Sequence, residues 1–246
     1  MGESPNRRKQ RKRRGGPAAP RAGVFFDMDG VLIDSEPVWL AAIDAVFGAL
    51  GITLDADEKA HTAGMGNEES VRWVLARHAR PDADVADVCR DIDAAVLRRI
   101  GEGIGAIPGA DDLVCKLAAA RVPLALVSTS GPALMATVVR AHRLEGLFQV
   151  VLSSEEIGPG KPDPAVYRVA LQRLGADAAA SVAIEDTVNG ARSAHGAGLR
   201  VIGFTRDAAV AAAMRPFVWQ VAPDYATIAR LVDEILASRR QTESRR

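Results

Sequence analysis

Residues 24–34 read VFFDMDGVLID. Val24, Phe25 and Phe26 have the character of the end of a buried strand; Asp27 and Asp29 follow two residues apart, and Gly30 permits a tight turn. Two ionised carboxylates this close repel each other and resist desolvation, and a hard cation bound through oxygen relieves both costs. The same residues would also serve as caps of a following helix, where Asp is common.

Immediately downstream the pattern turns helical. Trp39, Ile43, Val46, Phe47 and Leu50 fall on one face at helical spacing, and Gly51 follows as a stop. Helical periodicity continues through Val71, Val74 and Leu75, then Val85, Val88, Ile92 and Val96, with no convincing strand before GEGIGAIPGADD at 101–112. The spacing predicts a small helical unit over 37–103, hinged on those glycines and the proline.

Beyond it, short apolar runs at 122–127, 148–152, 181–184 and 199–204 alternate with helix-like stretches around 110–120, 132–142, 164–174 and 188–196. With the strand ending at Phe26 this makes at least five strands, and 217–221 is a weaker sixth. The segment Ile228, Leu231, Val232, Ile235 reads as a closing helix. Buried strands alternating with helices predict an α/β fold: a Rossmann-like parallel sheet with helices on both faces. Residues 22–36 and 104–237 form this core, with 37–103 inserted as a helical cap.

Ligands of such sheets bind at the carboxyl ends of the strands. The first strand delivers Asp27 and Asp29 there. The run at 122–127 delivers Ser128, Thr129 and Ser130 before a helix whose amides favour an anion. GPGKPDPAVY at 158–167 holds Lys161 in a Gly-Pro frame, and the strand at 181–184 ends in Glu185 and Asp186. Singly, Ser128 reads equally as a helix cap, Lys161 as a surface lysine, and Glu185 with Asp186 as a capping pair. Together, Mg²⁺ on the carboxylates and a phosphoryl group on Ser128, Lys161 and backbone amides account for all of them.

Composition bounds the partners. The 246 residues are 48% hydrophobic with no run long enough for a membrane span, which predicts a globular, cytoplasmic protein without a membrane partner. Cys89 and Cys115 are too far apart for a metal cluster or a disulfide framework and read as core or half-buried thiols. The zero net charge hides an uneven distribution: residues 1–21 carry eight Lys or Arg and one Glu, and 238–246 carry four Arg and one Glu. The body between them holds 19 basic and 29 acidic residues. Both basic ends, 1–21 and 238–246, are predicted to be disordered tails. The N-terminal one is either a nucleic-acid or anionic-surface tether or a solvated start without a specific role. Few aromatic residues are available for base stacking.

FDMDGVLIDSE, LVSTS, GKPDPAVY and IEDTVNGARSAHGAG, in this order and spacing, resemble the four motifs of the haloacid dehalogenase-like (HAD) superfamily. The resemblance is closest to its phosphatase and β-phosphoglucomutase-like branch with a helical cap, and covers roughly residues 22–237. It implies a Mg²⁺-dependent hydrolase of a small phosphate monoester, such as a sugar or polyol phosphate. Asp27 would be the nucleophile that forms an aspartyl-phosphate, and Asp29 the acid for the leaving alcohol and then the base for water. Ser128, with Thr129 beside it, would hold phosphoryl oxygens, and Lys161 would neutralise the nucleophile and the transferring group. Asp186, with Glu185 as ligand or support, would hold Mg²⁺ together with the Asp27 side chain and the Asp29 backbone carbonyl. The second aspartate, Asp29, argues against dehalogenation.

The cap departs from the mutase pattern. Trp39 stands where the resembling sugar phosphomutases have a His, and Asn67, beside Glu68 and Glu69, stands where they have an Arg for a second phosphate. Trp39 and Asn67 are therefore expected to contact substrate in a monophosphate hydrolase rather than a mutase. Arg98 and Arg99 are further candidates for substrate cations, or else part of a solvated helix face. An alternative of another class is a binding protein tethered to nucleic acid by residues 1–21, with the fold as scaffold.

Overall fold

The computed structural model describes residues 21–62, 65–103 and 105–243. Six strands, β1 (Val24–Phe26), β2 (Leu124–Ser128), β3 (Val150–Ser153), β4 (Val182–Glu185), β5 (Arg200–Phe204) and β6 (Gln220–Ala222), form one sheet. All pairs are parallel and the order is β3-β2-β1-β4-β5-β6. The central strand β1 is wholly buried and alternates its side chains: Val24 and Phe26 join one apolar cluster, Phe25 the other. Register sets Phe26 opposite Leu126 of β2 and Ile184 of β4, so the strand ends β1, β2 and β4 arrive together where the strand order reverses.

Among the described residues, four helices follow β1 before Gly103: α1 (Glu36–Ala49), α2 (Ala56–Thr62), α3 (Asn67–Arg77) and α4 (Val85–Gly101). Pro37 in the first turn favours the start of α1, and the Asp84 side chain caps α4 by accepting from the Asp87 amide. The chain leaves and re-enters the sheet domain side by side. Ile33 bridges Ala106, and the Ile107 amide donates to Leu32 O at 2.9 Å. Phe47, Val71, Val74, Val96 and Ile100 from these helices belong to the same apolar cluster as Phe26, Leu124 and Ile184 of the sheet.

The alternation then runs as the pattern predicts: α5 (Ala110–Ala119), α6 (Pro132–Ala141), α7 (Ala165–Leu174) and α8 (Val188–Gly196) connect the strands. Leu113, Val138 and Ile228 cover one face of the sheet; Tyr167, Ala170, Ala191 and Ala194 cover the other. The weak sixth strand forms, displaced to 220–222.

Two expectations are corrected, and one element is added. A further helix, α9 (Ala208–Met214), precedes β6; its run of Ala offers only Met214 as a large buried residue, too faint a periodic signal to read. The closing helix, α10 (Tyr225–Glu243), continues through residues 238–243, which were expected in a disordered tail. Arg, Gln and Glu are good helix formers and extend a helix already docked through Ile228, Leu231 and Ile235. Cys89 is partly buried, but Cys115 lies exposed on the outer face of α5. The basic segment 1–20 lies outside the described residues. Among the described residues no helix is long and apolar enough to cross a membrane.

Candidate active site

Asp27 follows β1 directly, and its amide donates to Ile184 O of β4 at 3.1 Å, which fixes the backbone at the strand ends. Its carboxylate is 7% exposed, facing Glu185, the last residue of β4, which is fully buried. Lys161 enters between them. Its ammonium donates to Asp27 Oδ1 at 2.6 Å, Glu185 Oε1 at 2.8 Å and Val127 O at 3.0 Å, so all three protons are committed. The Tyr167 hydroxyl donates to the same Glu185 oxygen, and its ring lies 5.3 Å below the ammonium.

The other side of the cluster is unfinished. Glu185 Oε2 and Asp186 Oδ1 are buried and accept no hydrogen bond from the described residues. One oxygen each of Asp27, Glu185 and Asp186 lies within 4.8 Å of the others. Three carboxylates against one ammonium leave negative charge out of water, and the ionisation equilibria register the cost. Burial drives the Asp27 carboxyl well above its ordinary range, with Lys161 opposing and Glu185 and Asp186 reinforcing. Burial and then the Glu185 charge lift Asp186 to about 7. Although burial pulls Lys161 down, Asp27 and Glu185 hold it above its ordinary value as a permanent cation.

Two glycines make room for these oxygens. A Cβ on Gly190, in the first turn of α8, would lie 1.8 Å from Glu185 Oε2. A Cβ on Gly30 would lie 1.9 Å from Asp186 Oδ2, and Gly30 also has φ +71°, which favours glycine by itself. An all-oxygen set with two orphaned acceptors and excess negative charge fits a hard divalent cation such as Mg²⁺.

Asp29 faces away from this cluster. Its Oδ1 accepts from Ser35 Oγ at 2.6 Å and Trp39 Nε1 at 3.3 Å; its Oδ2 accepts from Ser130 Oγ at 2.6 Å and Ser128 Oγ at 3.3 Å. Asp29, expected at the metal through its backbone carbonyl, adds no carboxylate oxygen to the cluster of Asp27, Glu185 and Asp186. Ser128, buried at the end of β2, also accepts from the Ser130 amide at 3.0 Å, which shapes the turn into α6. Thr129 between them is solvent-exposed.

Of the residues on the helices after β1, Trp39 reaches the site through Asp29. The Asn67 amide is spent on Asp93 Oδ1 at 2.9 Å instead. Arg98 and Arg99 lie exposed in the last turn of α4, where cations complement the helix dipole. Sequence reasoning passed over Tyr167, Ser35 and the glycine at 190. Tyr167 ends GKPDPAVY and has the pattern of a core aromatic; only the fold shows its hydroxyl meeting Glu185.

A family model described as haloacid dehalogenase-like hydrolase matches residues 22–198. The chain belongs to this family. Among curated HAD relatives, the protein CbbY of Cereibacter sphaeroides is 32% identical over 190 residues, covering 73% of this chain and 82% of that protein. Hexitol phosphatase B of Escherichia coli K12 is 30% identical over 180 residues, covering 73% and 81%. Among solved HAD structures, a variant of CbbY from Rhodobacter sphaeroides in complex with xylulose-1,5-bisphosphate superposes with a TM-score of 0.73 at 26% identity, covering 84% of this chain and 95% of that one.

Proposed function

We propose that this HAD hydrolase is a Mg²⁺-dependent phosphatase that cleaves a small phosphate monoester of the sugar or polyol class through an aspartyl-phosphate on Asp27. The observation that carries this reading is the pair of orphaned buried oxygens, Glu185 Oε2 and Asp186 Oδ1, beside an aspartate pinned by lysine. Asp27, Glu185 and Asp186 would hold the cation, with the Asp29 backbone carbonyl as a further donor. Bound there, it would supply positive charge for the carboxylates and for the phosphoryl oxygens.

The chain's own groups perform the rest. Lys161 holds the Asp27 carboxylate in one orientation, so an oxygen of Asp27 forms the bond to phosphorus as the bond to the ester oxygen breaks. Asp29, steadied by Ser35, Trp39 and Ser130, gives its proton to the departing alkoxide. It then takes a proton from the water that attacks phosphorus and frees Asp27, releasing inorganic phosphate. Ser128 and the amides that open α6 receive the phosphoryl oxygens. The insert 37–103 acts as the cap that selects substrate and excludes water.

CbbY with its bisphosphate and hexitol phosphatase with its polyol support small phosphorylated carbohydrates as the substrate class. A mutase needs an anchor for a second phosphate, and Asn67, tied to the Asp93 carboxylate, supplies none. The test is phosphate release from sugar, polyol, glycolate and nucleotide monophosphates with Mg²⁺ or EDTA, for the native chain and Asp27→Asn. Metal-dependent release that falls by at least about 10⁴-fold in Asp27→Asn is expected. Equal release by both proteins would overturn the reading, and interconversion of sugar phosphate isomers without release would make the enzyme a mutase.

A further inference from the structure

Two carboxylates near the turn that holds Asp29, Glu155 and Asp93, make no ion pair among the described residues. Glu155 lies in the 3-10 turn after β3, and its Oε2 stands 3.1 Å from where a Cβ of Gly131 would be. Gly131 follows Ser130, whose hydroxyl binds Asp29, so Glu155 borders the same turn that shapes the site. Asp93 lies on α4, the helix that packs against α6. Its Oδ1 is held by the Asn67 amide, and its charge reaches Glu155 and raises that carboxyl further after partial burial has done so.

The neighbouring acids differ. Glu68 pairs with Arg72 and Asp87 with Arg90, whereas no ion pair to Asp93 or Glu155 occurs among the described residues. Both carboxylates are exposed, so a bound molecule can meet them. Two carboxylates without an ion pair among the described residues, and an amide, offer acceptors to hydroxyl groups and repel anions, while the Lys161 ammonium is committed to Asp27 and Glu185.

We propose that Asp93 and Glu155 are specificity-determining residues that form an acidic rim, accepting hydrogen bonds from a hydroxyl-rich leaving group and turning away substrates with a second phosphate or a carboxylate. This rests on the phosphatase reading above and narrows it to polyol and sugar monophosphates, at the expense of bisphosphates and phosphoglycolate.

The test compares kcat/KM for a hexitol monophosphate, a pentulose bisphosphate and phosphoglycolate in the native chain, Asp93→Asn, Glu155→Gln and the double variant, all with Mg²⁺. The native chain prefers the hexitol monophosphate. The ratio of bisphosphate to hexitol monophosphate rises roughly tenfold in each single variant and further in the double one, because like charge is removed near the second phosphate. Phosphoglycolate moves in the same direction. A partly unfolded variant lowers both members of the ratio alike, so the comparison survives a loss of stability. Phosphate release with a ratio unmoved in the double variant would overturn the acidic rim alone; a native chain that releases phosphate from none of the three would overturn the phosphatase reading with it.

Discussion

Glu58 in α2 and Glu185 at the end of β4 are both buried glutamates, and their surroundings differ in one respect. Both Glu58 oxygens are used: Oε2 accepts from the Asp55 amide at 3.0 Å, and Oε1 meets Arg77 Nε at 2.7 Å and His78 Nε2 at 3.0 Å. The Asp55 amide and Arg77 hold its carboxyl below the ordinary range. Glu185 has Lys161 and Tyr167 on Oε1 and nothing on Oε2. A carboxylate satisfied on both oxygens closes a piece of structure; one satisfied on a single oxygen leaves a ligand position. On this view Glu58 ties α2 to α3, and Glu185 Oε2 would serve as a ligand to a cation.

The sharpest way to break the contrast is to fill the space beside the open oxygen. Gly190→Ala would put a methyl where Glu185 Oε2 now lies, and the carboxylate cannot swing away without leaving Lys161 and Tyr167. Titration calorimetry should show Mg²⁺ affinity reduced by about 10–100-fold, the range for disturbed support of metal ligands. Unchanged affinity would mean that Glu185 is not part of the cation site.

A smaller effect separates the two regions by pH. With its carboxyl lifted to about 7, Asp186 keeps in the folded state a proton that the unfolded chain releases near its ordinary value of 3.8. The folded state therefore binds more protons in that window, and the cation-free protein loses stability as pH rises through it. A bound Mg²⁺ would compete with that proton. Its stabilisation should be small at about pH 5 and reach roughly 5–10 °C in Tm at about pH 8, at a concentration about a hundredfold above Kd. Scanning fluorimetry across pH with Mg²⁺ or EDTA checks this, and equal shifts at both pH values would contradict it.

The least effect belongs to the closed glutamate. Glu58 has a depressed carboxyl, so its contribution is present above the unfolded value of 4.5 and disappears as pH falls through the folded one. Glu58→Gln should lower Tm at neutral pH, with the difference from the native chain shrinking in acid, and should leave kcat unaltered. A change in kcat would show that the knot between α2 and α3 reaches the chemistry.

How much of this was legible in the sequence follows from the range of the interactions. The apolar runs ending in Asp27, Ser128 and Glu185 could be read because a buried parallel strand is continuous in sequence and its end is where ligands bind. Asp27, Asp29, Lys161, Glu185 and Asp186 stood out because charge at a buried strand end demands a partner. The supports did not. Tyr167 reaches Glu185 only because α7 packs on the sheet, and Glu58 meets Arg77 and His78 only because α2 docks on α3. Ser35 and Trp39 find Asp29 through the first turn of α1, which periodicity locates but does not orient. Asn67 was placed near substrate by resemblance, yet its nearest demand is the Asp93 carboxylate, whose position depends on how α3 and α4 pack.

The most direct measurement is calorimetric titration of Mg²⁺ at about pH 8 into the native chain, Glu58→Gln and Glu185→Gln. The account predicts binding to the native chain and to Glu58→Gln with the same affinity, and affinity lowered by at least about tenfold in Glu185→Gln. Binding retained by Glu185→Gln, or lost in Glu58→Gln, would contradict it.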